Sequence, residues 1–90
     1  MQQRTHNLKT WPSFFKETWE GRKLFEYRQN DRDFAVGDIL HLEEYDPACV
    51  NYTGRTIVAE VTYILQGRWG LPEGWCIMSI EVLDRWPHKN

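Results

Sequence analysis

Cysteine is scarce, histidine is scattered, and no stretch of the chain is apolar for long. The two cysteines, Cys49 and Cys76, lack the close spacing of a metal knuckle, and a reducing cytosol would keep both as thiols. His6, His41 and His88 show no metal-ligand spacing, so neither a metal nor another cofactor is expected. A Gly-x-Ser-x-Gly elbow and a glycine-rich phosphate loop leading into a helix are both missing, which removes two motif-borne chemistries. No apolar run approaches the length that spans a bilayer, and the opening Met1-Gln2-Gln3-Arg4-Thr5-His6 lacks the apolar stretch of a signal peptide. The expectation is a cytoplasmic protein with no membrane partner. A strong charge of one sign is missing too. The formal net charge of -2 is not the basic excess of a general nucleic-acid binder, so any anion site must be local.

Aromatic residues are plentiful instead. Five Trp, four Tyr and four Phe among 90 residues exceed what one small core encloses, so some rings are expected half exposed. A chain of this length suits one domain, residues 1–90. Its 41% hydrophobic and 27% charged residues are the mixture of a folded chain and not of a disordered one. After a polar start, Pro12 sits where a first helical turn tolerates it, and Phe14, Phe15, Thr18 and Trp19 recur at helical spacing until Gly21. One short helix is predicted there. Alternation predicts strands over Lys23–Arg28, Ile39–Tyr45, Arg55–Leu65 and Trp75–Leu83, with loops at Ala48–Gly54 and Gln66–Gly74 and a tail at Trp86–Asn90. The predicted fold class is mainly β (α+β): a small, partly closed β-barrel of about five strands with one N-terminal helix, because closure removes unpaired edges.

The densest group of functional side chains runs from Gly21 to Asp38. Alternation puts Glu26 and Arg28 on one face of their strand and Lys23 on the other, and a loop of Asn30, Asp31, Arg32 and Asp33 follows. Such a strand and loop offer donors and acceptors to a base edge or a phosphate. They fit a plainer role equally well, with Glu26 pairing Arg28 or Arg32 and the loop binding its own backbone.

Gly21-Arg22-Lys23-Leu24-Phe25-Glu26-Tyr27-Arg28 resembles the G-x-K-x-x-E-x-R signature of ASCH domains, a branch of the PUA-like superfamily, and Gly37-Asp38 resembles the G-D that opens the next strand. The segments His6-Asn7-Leu8-Lys9-Thr10, Asn30-Asp31-Arg32-Asp33-Phe34, Tyr45-Asp46-Pro47 and Tyr52-Thr53-Gly54-Arg55 are similar to motifs of a bacterial and phage family of small proteins within it. The resemblance covers nearly the whole chain. It implies a PUA-like barrel whose cleft, beside the signature strand, takes RNA or a modified base. Lys23, Glu26 and Arg28 would lie in that cleft, with Lys9, Asn30, Asp31, Arg32 and Arg55 around them and His6 in the family-like His-x-Leu-Lys segment. Some ASCH domains are enzymes, among them an amidohydrolase of acylated cytidine in which the signature lysine works with a threonine on the same strand and a glutamate from an inserted helix. Here Glu26 stands in the threonine's place, and no helix is inserted between the last two strands.

The reading is a recognition module for nucleic acid, RNA before DNA, or for a modified nucleotide. In it Lys9, Lys23, Arg28, Arg32 and Arg55 make a local positive cleft, and Glu26 and Asp31 select the base through hydrogen bonds. Trp69, in the glycine-rich loop, is the preferred stacking ring, and Tyr45 the next, while Phe15 and Trp19 are assigned to the core. Two alternatives stay open. One is a small hydrolase of RNA or modified nucleosides using Lys23 and Glu26, and the other a phage-type module with a protein partner.

Overall fold

The structure is a computed structural model that describes residues 3–88; Lys89 and Asn90 of the expected tail lie outside them. Over half of the described chain is strand, arranged as one five-stranded sheet curled into a half-barrel with a single short helix. The mainly β fold with one helix near the start is therefore as the sequence predicts.

The elements are β1 (Thr5–Thr10), α1 (Pro12–Trp19), β2 (Phe25–Gln29), β3 (Ile39–Asp46), β4 (Asn51–Gln66) and β5 (Trp75–Trp86). The polar start turns out to be β1. Its inward residues are His6, Leu8 and Thr10, only one of them aliphatic, so the two-residue period is hidden from a hydrophobicity pattern. α1 begins on Pro12 and buries Phe15 and Thr18. It ends in a Schellman turn: Gly21, at φ +81, donates to the Thr18 carbonyl and Arg22 to that of Glu17, a backbone shape that glycine adopts without steric cost.

Sheet order is β1-β3-β4-β5-β2. β1 runs parallel to β3, and every other pairing is antiparallel. The expected loop at Ala48–Gly54 shrinks to a tight turn, because β4 already starts at Asn51. A bulge there sets Glu44 of β3 against Thr53, Gly54 and Arg55 of β4, with Gly54 at φ +95 supplying the left-handed residue that such an irregularity needs. β5 continues past Leu83 to Trp86.

Leu8, Phe15, Phe34, Leu40, Leu42, Ile57, Val61, Met78 and Ile80 fill the concave side of the sheet, and α1 lies over it. Cys76 is buried among them while Cys49 is exposed, and both are thiols. No helix among the described residues is long and apolar enough to cross a membrane. The curl stops short of closure and leaves β1 and β2 as the two edges of the sheet. What lies between them positions the site.

Candidate functional site

The edges of β1 and β2 flank a cleft of about 580 Å³. β1 and the start of α1 line one side through Leu8, Lys9, Trp11 and Phe14; β2 lines the other, and the following loop adds Asp31 and Arg32. Glu26 forms its floor. The alternation of β2 turns this carboxylate inward, leaving it 3% exposed, where an unpaired charge would be very costly. Two cations compensate it: Lys23 Nζ donates to Oε1 at 3.1 Å and Arg28 Nε to Oε2 at 2.9 Å. Lys23 also donates to the Phe25 carbonyl at 2.7 Å, so two of its three donors are engaged.

Arginines tie the seam together. Arg28 Nη2 crosses from β2 to the Lys9 carbonyl at 3.0 Å and Thr10 Oγ1 at 3.3 Å, and Arg32 Nη1 reaches the Asn7 carbonyl at 2.8 Å. These bonds satisfy the outward carbonyls of β1 that an unclosed barrel leaves without a strand partner. Lys9, Lys23, Arg28 and Arg32 outnumber Glu26 and Asp31 among the lining residues, so the cleft is locally cationic on a chain of net charge -2. Half-exposed rings surround it: Trp11, Phe14, Phe25 and Tyr27 are each 45–52% exposed. Tyr27 stacks on Trp75 at 4.9 Å, and the Lys23 ammonium lies 4.8 Å from the Phe25 ring.

Of the residues singled out from the sequence, Lys9, Lys23, Glu26, Arg28, Asp31 and Arg32 line this cleft. His6, Asn30, Tyr45, Arg55 and Trp69 do not. His6 is buried, with Nε2 2.9 Å from Asp38 Oδ2, and anchors β1 to the turn before β3. Burial pushes the Asp38 carboxyl up, but bonds from His6, the Ala35 N–H and the Arg4 N–H together hold it below its ordinary 3.8. Asn30 accepts from the Phe34 N–H at 2.8 Å and donates to Gln66. It shapes the loop that presents Asp31 and Arg32.

Arg55 belongs to a second ion pair, whose carboxylate, Glu44, is buried and whose guanidinium is partly exposed. Its guanidinium grips Glu44 through both oxygens at 2.8 and 3.0 Å and lies 5.1 Å from the Phe15 ring and 5.2 Å from the Trp19 ring. The bulge at Gly54 is what brings Thr53 and Arg55 together onto Glu44. Tyr45 packs against Trp11 and Tyr52, with Lys9 4.3 Å over its ring. Trp69, at 72% exposure, sits at the tip of the β4–β5 turn. The rings that do reach the cleft are Trp11, Phe14, Phe25, Tyr27 and Trp75, and neither Trp69 nor Tyr45, the two that the sequence favours for stacking, is among them. Their signal in the sequence is adjacency to β2 and to the turn before α1. No three His, Cys, Asp or Glu side chains among the described residues converge as a metal site requires.

A family model described as a domain of unknown function, DUF3850, matches residues 5–80. The chain belongs to the DUF3850 family. The DUF3850 match runs from the first residue of β1 into β5 and so takes in every cleft residue. Among relatives, an uncharacterized 12.9 kDa protein in the GpA 3' region of Escherichia phage P2 is 34% identical over 62 residues. That alignment covers 69% of this chain and 55% of the phage protein, so it spans little more than half of the relative's length.

Proposed function

We propose that the cleft recognises a nucleotide within single-stranded nucleic acid, RNA before DNA. The observation that carries this is the buried Glu26 carboxylate, held between Lys23 and Arg28 on the floor of a cationic cleft rimmed by half-exposed rings. Rings take a base by stacking, exposed cations take phosphates, and an oriented charge cluster discriminates between ligands of the same size. A carboxylate would repel a bare polyanion, so its place in the floor favours recognition over general charge attraction. Lys9 and Arg32 are the phosphate contacts in this reading. The resemblance of Lys23, Glu26 and Arg28 to the ASCH signature supports it, and the proposed setting is the cytoplasm.

Intrinsic Trp fluorescence tests the reading, since Trp11 and Trp75 line the cleft. Short single-stranded RNA should saturate the signal, and affinity should fall with salt at a log–log slope of roughly -1 to -2 if about two phosphates are neutralised. Lys23→Ala and Arg28→Ala should each weaken binding. Variants that bind like the wild type would move the site elsewhere.

A second reading has one observation behind it. Lys23 Nζ and Glu26 Oε1 lie at hydrogen-bonding distance, a pair able to pass a proton to a bound acylated or otherwise modified nucleoside. Turnover of such a nucleoside, lost in Lys23→Ala, would replace recognition by hydrolysis.

A further inference from the structure

The two strand edges that border the cleft differ in what their backbones offer. On β2 the Ile80 N–H donates to the Leu24 carbonyl at 3.2 Å and the Asn30 N–H to the Gly74 carbonyl at 2.7 Å. In an antiparallel ladder the residues bonded to the neighbour alternate, so Glu26 and Arg28 also face β5. Phe25, Tyr27 and Gln29 turn their N–H and C=O groups to the seam. Lys23 reaching the Phe25 carbonyl lies on that side. On β1 the Ile39 N–H donates to the Arg4 carbonyl at 2.8 Å, and the same alternation turns Asn7 and Lys9 to the seam. Their carbonyls are the ones taken by Arg32 and Arg28.

The guanidiniums thus stopper the β1 edge, Lys23 stoppers the upper part of the β2 edge, and among the described residues no side chain engages the Tyr27 backbone. An extended peptide would need the length of the β2 edge and room for a strand, and Arg28 already crosses that room. A flat heterocycle needs only one donor beside one acceptor, with a ring close by.

We infer that the Tyr27 N–H and C=O read the pairing edge of a nucleobase, so that the site takes an unpaired base and rejects the same base in a duplex. The inference rests on the nucleic-acid reading of the cleft and adds which edge is read. An N–H and C=O on one extended residue point the same way and complement the adjacent acceptor and donor of a base's pairing edge, such as O4 and N3–H of uracil. Aromatic rings at Tyr27, Trp75 and Phe25 lie against the same strand. Annealing a complementary strand, or methylating the edge, removes the contact and leaves the phosphates in place.

The test uses the full chain with short oligo(U) and oligo(A) RNA, each also annealed to its complement. A third set carries uridine methylated at N3 or adenosine dimethylated at N6, and a control carries uridine methylated at C5. The unmodified single strand that binds should lose roughly tenfold or more in affinity on annealing and on pairing-edge methylation, as expected when a site's polar groups are left unpaired. The C5 methyl should change little. Tyr27→Ala keeps the N–H, whereas Tyr27→Pro removes it and keeps the carbonyl, at an edge position that a sheet tolerates; Pro should bind about tenfold more weakly than Ala, while the carbonyl that accepts from N3–H still rejects the N3 methyl. Binding that persists while annealing, methylation and proline all leave it unchanged overturns the edge assignment alone. Failure of every RNA to bind overturns the cleft reading with it.

Discussion

Two buried glutamates divide the molecule. Glu26 and Glu44 are 3% and 5% exposed, and each accepts from an arginine Nε, at 2.9 and 2.8 Å. Their surroundings are opposite. Glu44 receives both nitrogens of Arg55 and the Thr53 hydroxyl, and the rings of Phe15 and Trp19 lie against the guanidinium. That cluster staples α1 to β3 and β4. Glu26 is shared between Lys23 and Arg28 on the floor of a cleft that α1 borders through Phe14. The same residue types thus make a structural clamp on one side of Thr10, which pairs with Glu44 in the β1–β3 register and accepts from Arg28, and an open, ligand-sized site on the other. What separates them is that the rings of Phe15 and Trp19 pack directly on the Arg55 guanidinium, whereas the cleft stays open above Glu26.

Matched substitutions should break the symmetry in opposite directions. Arg55→Met leaves Glu44 buried with only the Thr53 hydroxyl. Because Arg55 itself is partly solvent-screened, the expected loss is about 2–3 kcal/mol of stability by urea denaturation, with RNA affinity of the folded fraction unchanged. Arg28→Met leaves Glu26 still paired with Lys23 and should cost only about 1 kcal/mol, while affinity falls about tenfold, some 1.4 kcal/mol. If Arg55→Met abolished binding in the folded protein, or Arg28→Met only lowered the melting temperature, the assignment of clamp and site would be reversed.

Acid should act on the clamp. Burial raises the Glu44 carboxyl, but the bonds from Arg55 and Thr53 outweigh it and hold the group below its ordinary 4.5, and Asp38 is likewise held below 3.8. Both folded values are depressed, so the unfolded chain takes up protons first as pH falls. The stability these groups contribute is present above the unfolded values and is lost as pH drops through the folded ones. Melting should therefore be flat above about pH 5 and fall steeply below about pH 4. Glu44→Gln should shallow that slope without altering the contribution of Asp38.

The difference between the two clusters was only half legible in the sequence. Alternation put Glu26 and Arg28 on one face, and their contact follows. Parity puts Lys23 on the opposite face, yet its long side chain curls from just before β2 to Glu26, a reach that strand parity does not encode. The motif places Arg55 by the cleft because the sequence does not encode the bulge; only the fold shows that Gly54 aims it at Glu44. β1 is hidden from a hydrophobicity pattern because two of its three inward positions, His6 and Thr10, are polar and find partners in Asp38 and Arg28. Trp69 looked like a cleft ring from loop composition, which carries no information about where a hairpin tip points.

The smallest effect lies in the turn that feeds the clamp. Val50 sits at φ +50 and is 74% exposed, an arrangement that a β-branched residue adopts only against steric resistance and that buries nothing in return. Asparagine accepts the left-handed region more readily, so Val50→Asn should raise stability by about 0.5–1 kcal/mol. The turn joins β3 to β4 next to Glu44 and Thr53 and contributes no residue to the cleft. RNA affinity should stay at the wild-type value while the melting temperature rises. A gain in stability accompanied by weaker binding would mean that the clamp and the cleft communicate, and the clamp would then have to be counted as part of the site.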